Sequence, residues 1–198
     1  MTDGIFIVLY GINNLGKTTQ AKKLVDRLHA EGYDAVYIKY PIYDLAPSGP
    51  LLNAYLREGN PYNLSPREAQ LLYALNRTQY EQELITLLKK GTHVIAEDYT
   101  GTGVCWGIGA VVDPLFMEEI NSHLYKEDIA FLCTGNRFTD ATEQSHVHET
   151  NDVLIEKVER VHASQGAVHH WIPINANESI ETIHETLWQH IKKQIIQS

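Results

Sequence analysis

Cysteine is nearly absent. Cys105 and Cys133 are the two in 198 residues. Two cannot build a disulfide framework, so the fold must rest on a core, and a reducing, cytoplasmic setting is expected. A basic stripe is also missing. Sixteen Lys and Arg stand against 25 Asp and Glu, for a formal net charge of -9. That balance argues against a nucleic-acid partner. No apolar run reaches the roughly 20 residues of a membrane-spanning helix, and the N-terminus lacks the basic and apolar regions of a secretory signal. Internal repeats and low-complexity tracts are missing as well. The ten histidines follow no metal-ligand spacing. His146, His148 and Glu149, or His169 and His170, come nearest and read as polar loops and helix faces.

What is there is ordinary globular composition, 43% hydrophobic and 21% charged. The length suits one α/β domain over 1–198. Gly11-Ile12-Asn13-Asn14-Leu15-Gly16-Lys17-Thr18 fits G-x-x-x-x-G-K-[ST]. It follows the apolar run Ile5–Leu9 and precedes Ala21, Leu24, Val25 and Leu28 at helical spacing. Strand, glycine loop and helix is the setting in which this motif cradles phosphates. Backbone N–H groups from Gly11 through Gly16 and on to Thr19 wrap the anion at a helix N-terminus. Lys17 reaches the terminal phosphates and the Thr18 hydroxyl holds Mg²⁺. ATP with Mg²⁺ is the expected ligand.

Apolar runs flanked by turn residues predict strands at 5–10, 35–40, 92–97, 128–133 and 171–175. Helices are predicted at 17–30, 48–58, 66–90, 114–125, 149–165 and 179–196. Ser65-Pro66-Arg67-Glu68 reads as a capping box with proline at the first helical position, and Asp113-Pro114 as a second cap-then-proline start. The alternation implies a five-stranded parallel sheet with helices on both faces, whose ligands bind at the carboxyl ends of the strands.

That rule singles out further residues. Pro41 stops the second strand's ladder, and Tyr40 before it either packs on a planar ligand or is a plain strand-end aromatic. Tyr73 and Arg77 lie four residues apart on one helix face, beside a Leu71/Leu75 stripe assigned to the core. They suit a nucleobase, the ring stacking and the guanidinium donating to a carbonyl, or else form a partly exposed surface. Glu97 and Asp98 end an apolar strand on the Mg²⁺ side, where alternation aims one carboxylate at the phosphates. Asp98–Gly101 matches D-x-x-G, but no N-K-x-D follows, against a GTPase. The glycines of Thr100–Gly103 allow close backbone approach to a ligand. Trp106 walls a base pocket or packs in the core.

In order and spacing, these segments resemble the thymidylate kinase family, which phosphorylates dTMP with ATP. The resemblance runs through Phe6–Ile12, Gly16–Gln20, Tyr40-Pro41, Leu71–Arg77, Thr102-Gly103 and Ile174 to His184. It implies a P-loop kinase fold, a homodimer packed through helices, and a lid at 134–150. It implies that Tyr73 stacks on thymine, that Arg77, within the motif that includes Asn76, binds the base carbonyl, and that Tyr40 lines the deoxyribose pocket.

The chain departs from the family at several of these positions. Asn13 stands where the family carries an acid. Glu97-Asp98 replaces an Asp-Arg pair whose arginine grips the dTMP phosphate. Asn14 and Leu15 are not arginine, and the lid offers Arg137 alone, so Arg57, Arg67 or Arg137 would supply the missing charge. Lys17, Asn13, Glu97 and Arg137 are the expected catalytic set. Three readings stay open on the residues: a thymidylate kinase with relocated cations, a deoxynucleoside kinase with Glu97 as base on an uncharged acceptor, and a binder without turnover.

Overall fold

The apolar run after Gly4 forms strand β1, Phe6–Tyr10, buried at all five positions. Four more strands join it: β2 Ala35–Lys39, β3 His93–Glu97, β4 Ile129–Thr134 and β5 Ile172–Asn175. All pair in parallel in the order β2-β3-β1-β4-β5. The computed structural model describes residues 3–138 and 151–197, so most of the 134–150 lid lies outside the described residues. The helices are α1 Lys17–Ala30, α2 Ser48–Arg57, α3 Pro66–Lys89, α4 Thr100–Gly109, α5 Pro114–Asn121, α6 Asp152–Val168 and α7 Ile180–Gln197.

Right-handed crossovers fix the layers. The chain moves one way along the sheet from β1 to β2 and the other way from β2 to β3, β3 to β4 and β4 to β5. Helix α1 therefore covers one face, where it meets α7. Helices α3, α4 and α6 cover the other, with α4 packed against both. The result is the three-layer α/β arrangement that the sequence implies. Connections leave β1 and β3 in opposite senses. Their carboxyl ends form the switch-point crevice, with the glycine loop at its rim.

Two helix starts behave as read. The Ser65 hydroxyl accepts from Glu68 N at 3.3 Å while Glu68 Oε2 accepts from Ser65 N at 2.7 Å. Asp113 Oδ1 accepts from Phe116 N at 2.8 Å.

Other expectations are corrected. The stretch Thr100–Gly109, for which no helix was predicted and whose first glycines were expected to allow close backbone approach to a ligand, is helix α4. Two of its glycines admit side chains: a Cβ on Gly101 would lie 2.5 Å from Trp171, and one on Gly109 2.5 Å from Val158. Helix α5 stops at Asn121, four residues early, and α6 spans Asp152–Val168 rather than 149–165. On α3 the faces are exchanged. Leu71 and Leu75 are 46% and 40% exposed, whereas Tyr73, Asn76 and Arg77 are buried.

Candidate functional site

The phosphate loop leaves β1 at Gly11, whose φ of 129° favours glycine. A Cβ there would sit 2.5 Å from the Cys133 carbonyl on β4. Asn14 (φ 65°) and Gly16 (φ 76°) turn the loop into the first turn of α1. The buried Lys17 ammonium curls over the loop and donates to Gly11 O at 2.9 Å and Ile12 O at 2.7 Å. Phe138 N donates to Asn14 O at 2.8 Å, which ties the start of the post-β4 segment to the loop.

A carboxylate cluster faces this loop. Glu97 Oε2 accepts from the Thr18 hydroxyl at 2.6 Å and the Tyr37 hydroxyl at 2.7 Å, while Oε1 lies 3.0 Å from Lys39 Nζ. Burial alone would raise the Glu97 carboxyl, but Lys17, Lys39 and the two hydroxyls outweigh it and hold it below the usual range. Asp98 shifts the other way, raised by burial and by the Glu97 charge against the pull of Lys17. Its Oδ1 accepts from Thr102 Oγ1 at 2.8 Å and lies 3.7 Å from Lys17 Nζ. Strand alternation was expected from sequence to aim one of the two carboxylates at the phosphates, and that expectation is corrected. The strand ends at Glu97, Asp98 adopts φ 63°, and both carboxylates line the same cavity.

That cavity, about 350 Å³, runs from the loop to helix α3. Its far end is built from Tyr40 and Pro41 after β2, Leu56 and Arg57 on α2, Tyr73 and Arg77 on α3, and Thr102, Gly103 and Trp106 on α4. Arg77 is held in place: Nη2 donates to Asn121 Oδ1 at 2.8 Å and Nη1 to Tyr99 O at 3.4 Å, while Nε has no hydrogen-bond partner. Burial lowers its guanidinium to about 10, still protonated at neutral pH. Gly103 makes room for it, since a Cβ there would lie 2.8 Å from Arg77 Nη2.

A phosphate loop and an aromatic–guanidinium end share one cavity. The family model for thymidylate kinase matches residues 9–187. This chain belongs to the thymidylate kinase family. Relatives agree over nearly full length. The thymidylate kinase of Plasmodium falciparum is 27% identical, covering 98% of this chain and 94% of that protein. That of Dictyostelium discoideum is 26% identical over 91% and 81%, and that of Homo sapiens 26% over 93% and 88%. The solved thymidylate kinase of Candida albicans superposes with a TM-score of 0.81 at 20% identity, covering 97% and 92%, which speaks to the fold.

Most residues that the sequence singled out against this family converge. Asn13, Asn14, Leu15, Gly16, Lys17, Thr18 and Thr19 line the phosphate end. Tyr40, Pro41, Tyr73, Arg77, Glu97, Asp98, Thr102, Gly103 and Trp106 line the remainder. Gly11, at the start of the loop, is not among the lining residues.

Two residues fall elsewhere. Asn76 is fully buried off the cavity, where it brackets the Ile42 backbone at 2.8 and 2.9 Å and donates to Ser48 Oγ at 2.9 Å. Arg137 is not among the lining residues, and its Nη1 lies 3.8 Å from Asp152 Oδ1. Of the other candidate cations, Arg67 stacks on Phe116 at 3.8 Å outside the cavity, while Arg57 lines it, stacked on Tyr43 at 4.6 Å.

Sequence reasoning pointed to the Lys39–Tyr43 strand end but gave Lys39 and Tyr43 no role, and it passed over Gln70. Lys39 was within reach, because it ends a strand at the crevice. Gln70 carries a fainter signal, one helical turn before Tyr73. Among the described residues no group of three His, Cys, Asp or Glu could hold a metal, and no helix is long and apolar enough to cross a membrane. His146, His148 and Glu149 lie outside the described residues.

Proposed function

We propose that this protein is an ATP-dependent thymidylate kinase that converts dTMP to dTDP. The carrying observation is one cavity with Lys17 and Thr18 at one end and Tyr73 and Arg77 at the other. A donor phosphate chain and an acceptor nucleotide can lie along it end to end. The family match over most of the chain favours a monophosphate acceptor over a free nucleoside.

The loop amides of Gly11–Thr19 hold the donor's phosphates, and Lys17 exchanges its loop carbonyls for phosphate oxygens. Tyr73 offers its ring to thymine, Arg77 a donor to a base carbonyl, and Tyr40 and Trp106 wall the sugar and ring. An oxygen of the dTMP phosphate attacks Pγ in line, the Pγ–O bond to the β-phosphate breaks, and ADP departs. That oxygen is already ionised near neutral pH, with a second phosphate pKa near 6, so the step needs no general base. Glu97 is thereby freed for the metal side. Thr18 Oγ1 and Glu97 Oε2, hard oxygens 2.6 Å apart, fit Mg²⁺. When bound, Mg²⁺ offsets charge on the transferring phosphates. Asp98, engaged by Thr102, is left out of that set. Lys39 and Arg57 line the cavity and supply positive charge to the acceptor phosphate in place of the family's arginines. Asn13 adds an uncharged amide beside the transferring group. Arg137 is given no contact with it.

The same reading includes a homodimer joined along α3, where Leu71 and Leu75 are exposed. It also includes a cytoplasmic location, in keeping with the free, buried Cys105 and Cys133.

The test is turnover. The protein is incubated with ATP, Mg²⁺ and dTMP, thymidine, dUMP or dCMP, and ADP and products are quantified. Phosphorylation of dTMP without phosphorylation of thymidine is expected. Turnover of thymidine alone, or ATP binding without turnover on any acceptor, overturns the reading.

A further inference from the structure

We propose that Gln70 reads the N3–H edge of the acceptor base and is a specificity-determining residue of this kinase. The proposal rests on the dTMP reading above and assigns a residue to its base end. Gln70 lies on α3 at three and seven residues before Tyr73 and Arg77, so all three share one face. It is 4% exposed, lines the cavity, and its buried Oε1 has no hydrogen-bond partner. Leu56, Tyr43 and Tyr73 line the same cavity. Buried carbonyl oxygens in folded chains are rarely left unpaired. A polar atom held unpaired beside a ligand cavity is accounted for when the ligand completes it.

The chemistry of the edge then follows. Thymine and uracil present acceptor, donor, acceptor at O4, N3–H and O2. A glutamine amide carries one acceptor and two donors, and so pairs with N3–H and an adjacent carbonyl at once. Arg77, with Nη1 and Nη2 already engaged, keeps Nε–H for the other carbonyl. Cytosine replaces O4 by an amine and N3–H by a bare acceptor. The Gln70 amide can turn over to meet that edge, but Arg77 has no acceptor to offer. Arg77 therefore rejects the amine, and Gln70 requires a partner at N3.

Gln70→Met and Gln70→Leu keep the volume and remove the amide. For wild type and both variants, kcat and KM are measured with dTMP and N3-methyl-dTMP, alongside thermal melts and calorimetric binding of thymidine. The expected result is a dTMP KM raised about tenfold, as for one lost hydrogen bond. Thymidine affinity falls by a similar factor, while kcat and the ATP KM stay within about twofold. The wild-type penalty against N3-methylation largely disappears in the variants. The proposal is overturned by unchanged dTMP and thymidine affinity. It is also overturned by a retained N3-methyl penalty, or by joint loss of kcat, ATP affinity and melting temperature, which marks a packing role. If wild type does not turn over dTMP, the kinase reading fails separately, and thymidine calorimetry still decides the role of Gln70.

Discussion

Two adjacent carboxylates share the cavity with opposite electrostatic fates. Glu97 has one ion-pair partner, Lys39 at 3.0 Å, and two hydroxyl donors, Thr18 and Tyr37, which favour its ionised form. Asp98 has one hydroxyl and a lysine at 3.7 Å, and Glu97 beside it disfavours its ionised form. An acceptor phosphate adds further negative charge to the same space. At about 5 Å and an effective dielectric near 20, each unit pair repels by roughly 3 kcal/mol before Lys39 and Arg57 compensate. Asp98→Asn removes that repulsion and keeps an oxygen to accept from Thr102. The expected outcome is a dTMP KM lowered at least about threefold with thymidine affinity unchanged, measured by steady-state kinetics and calorimetry. A higher dTMP KM would mean that the Asp98 carboxylate supports acceptor binding, through Lys17 or a bound cation, rather than opposing it.

At the scale of elements, helix α4 breaks the usual propensity rule. Replacing an interior helix glycine by alanine ordinarily gains up to about 1 kcal/mol. At Gly101 the added Cβ would lie 2.5 Å from Trp171 and 2.9 Å from Tyr10, two buried rings in tilted contact at 4.3 Å between centroids. Neither ring can give way without disturbing the sheet, so overpacking of about 1–3 kcal/mol outweighs the propensity gain. Gly101→Ala is therefore expected to lower the urea midpoint. Gly107→Ala, whose nearest neighbours would be atoms of the flexible Met117 side chain, should lower it less; the reverse ranking would show that the rings yield. The same helix marks the limit of what was legible in the sequence. Strands, the phosphate loop and the Ser65 and Asp113 caps follow from short-range pattern, and all were readable. Helix α4 was not, because four glycines hide a helix whose stability comes from the neighbours they admit. Nor was the inward face of α3. Leucine outranks tyrosine, asparagine and arginine as a core residue, until a ligand cavity and the Ile42 backbone give those polar side chains partners. Asp98 was misdirected for a related reason: its positive φ is set where the chain turns from β3 into α4, beyond the reach of strand alternation.

Across the whole molecule, the sheet order puts β1 between β3 and β4, so the phosphate loop opens at the centre of the crevice and the acceptor end is left to α2, α3 and α4. Helix α3 thus carries the base end on its inner face and two exposed leucines, one turn apart, on its outer face. Scattered surface leucines need no explanation. A pair on the helix that positions Tyr73 and Arg77 fits a contact with a second copy of the chain. Exposed positions tolerate charge in a monomer, so Leu71→Lys with Leu75→Lys should leave melting of the isolated fold nearly unchanged while placing four lysines across a symmetric interface. The expected outcome by light scattering is a dimeric wild type and a monomeric double variant. With α3 no longer braced from outside, the dTMP KM of the variant should rise by a few fold and the ATP KM should hold, because α1, which begins at Lys17, covers the face of the sheet away from α3. A wild type that runs as a monomer, or a double variant that keeps the dimer mass, removes α3 from the interface and leaves Leu71 and Leu75 as ordinary surface residues.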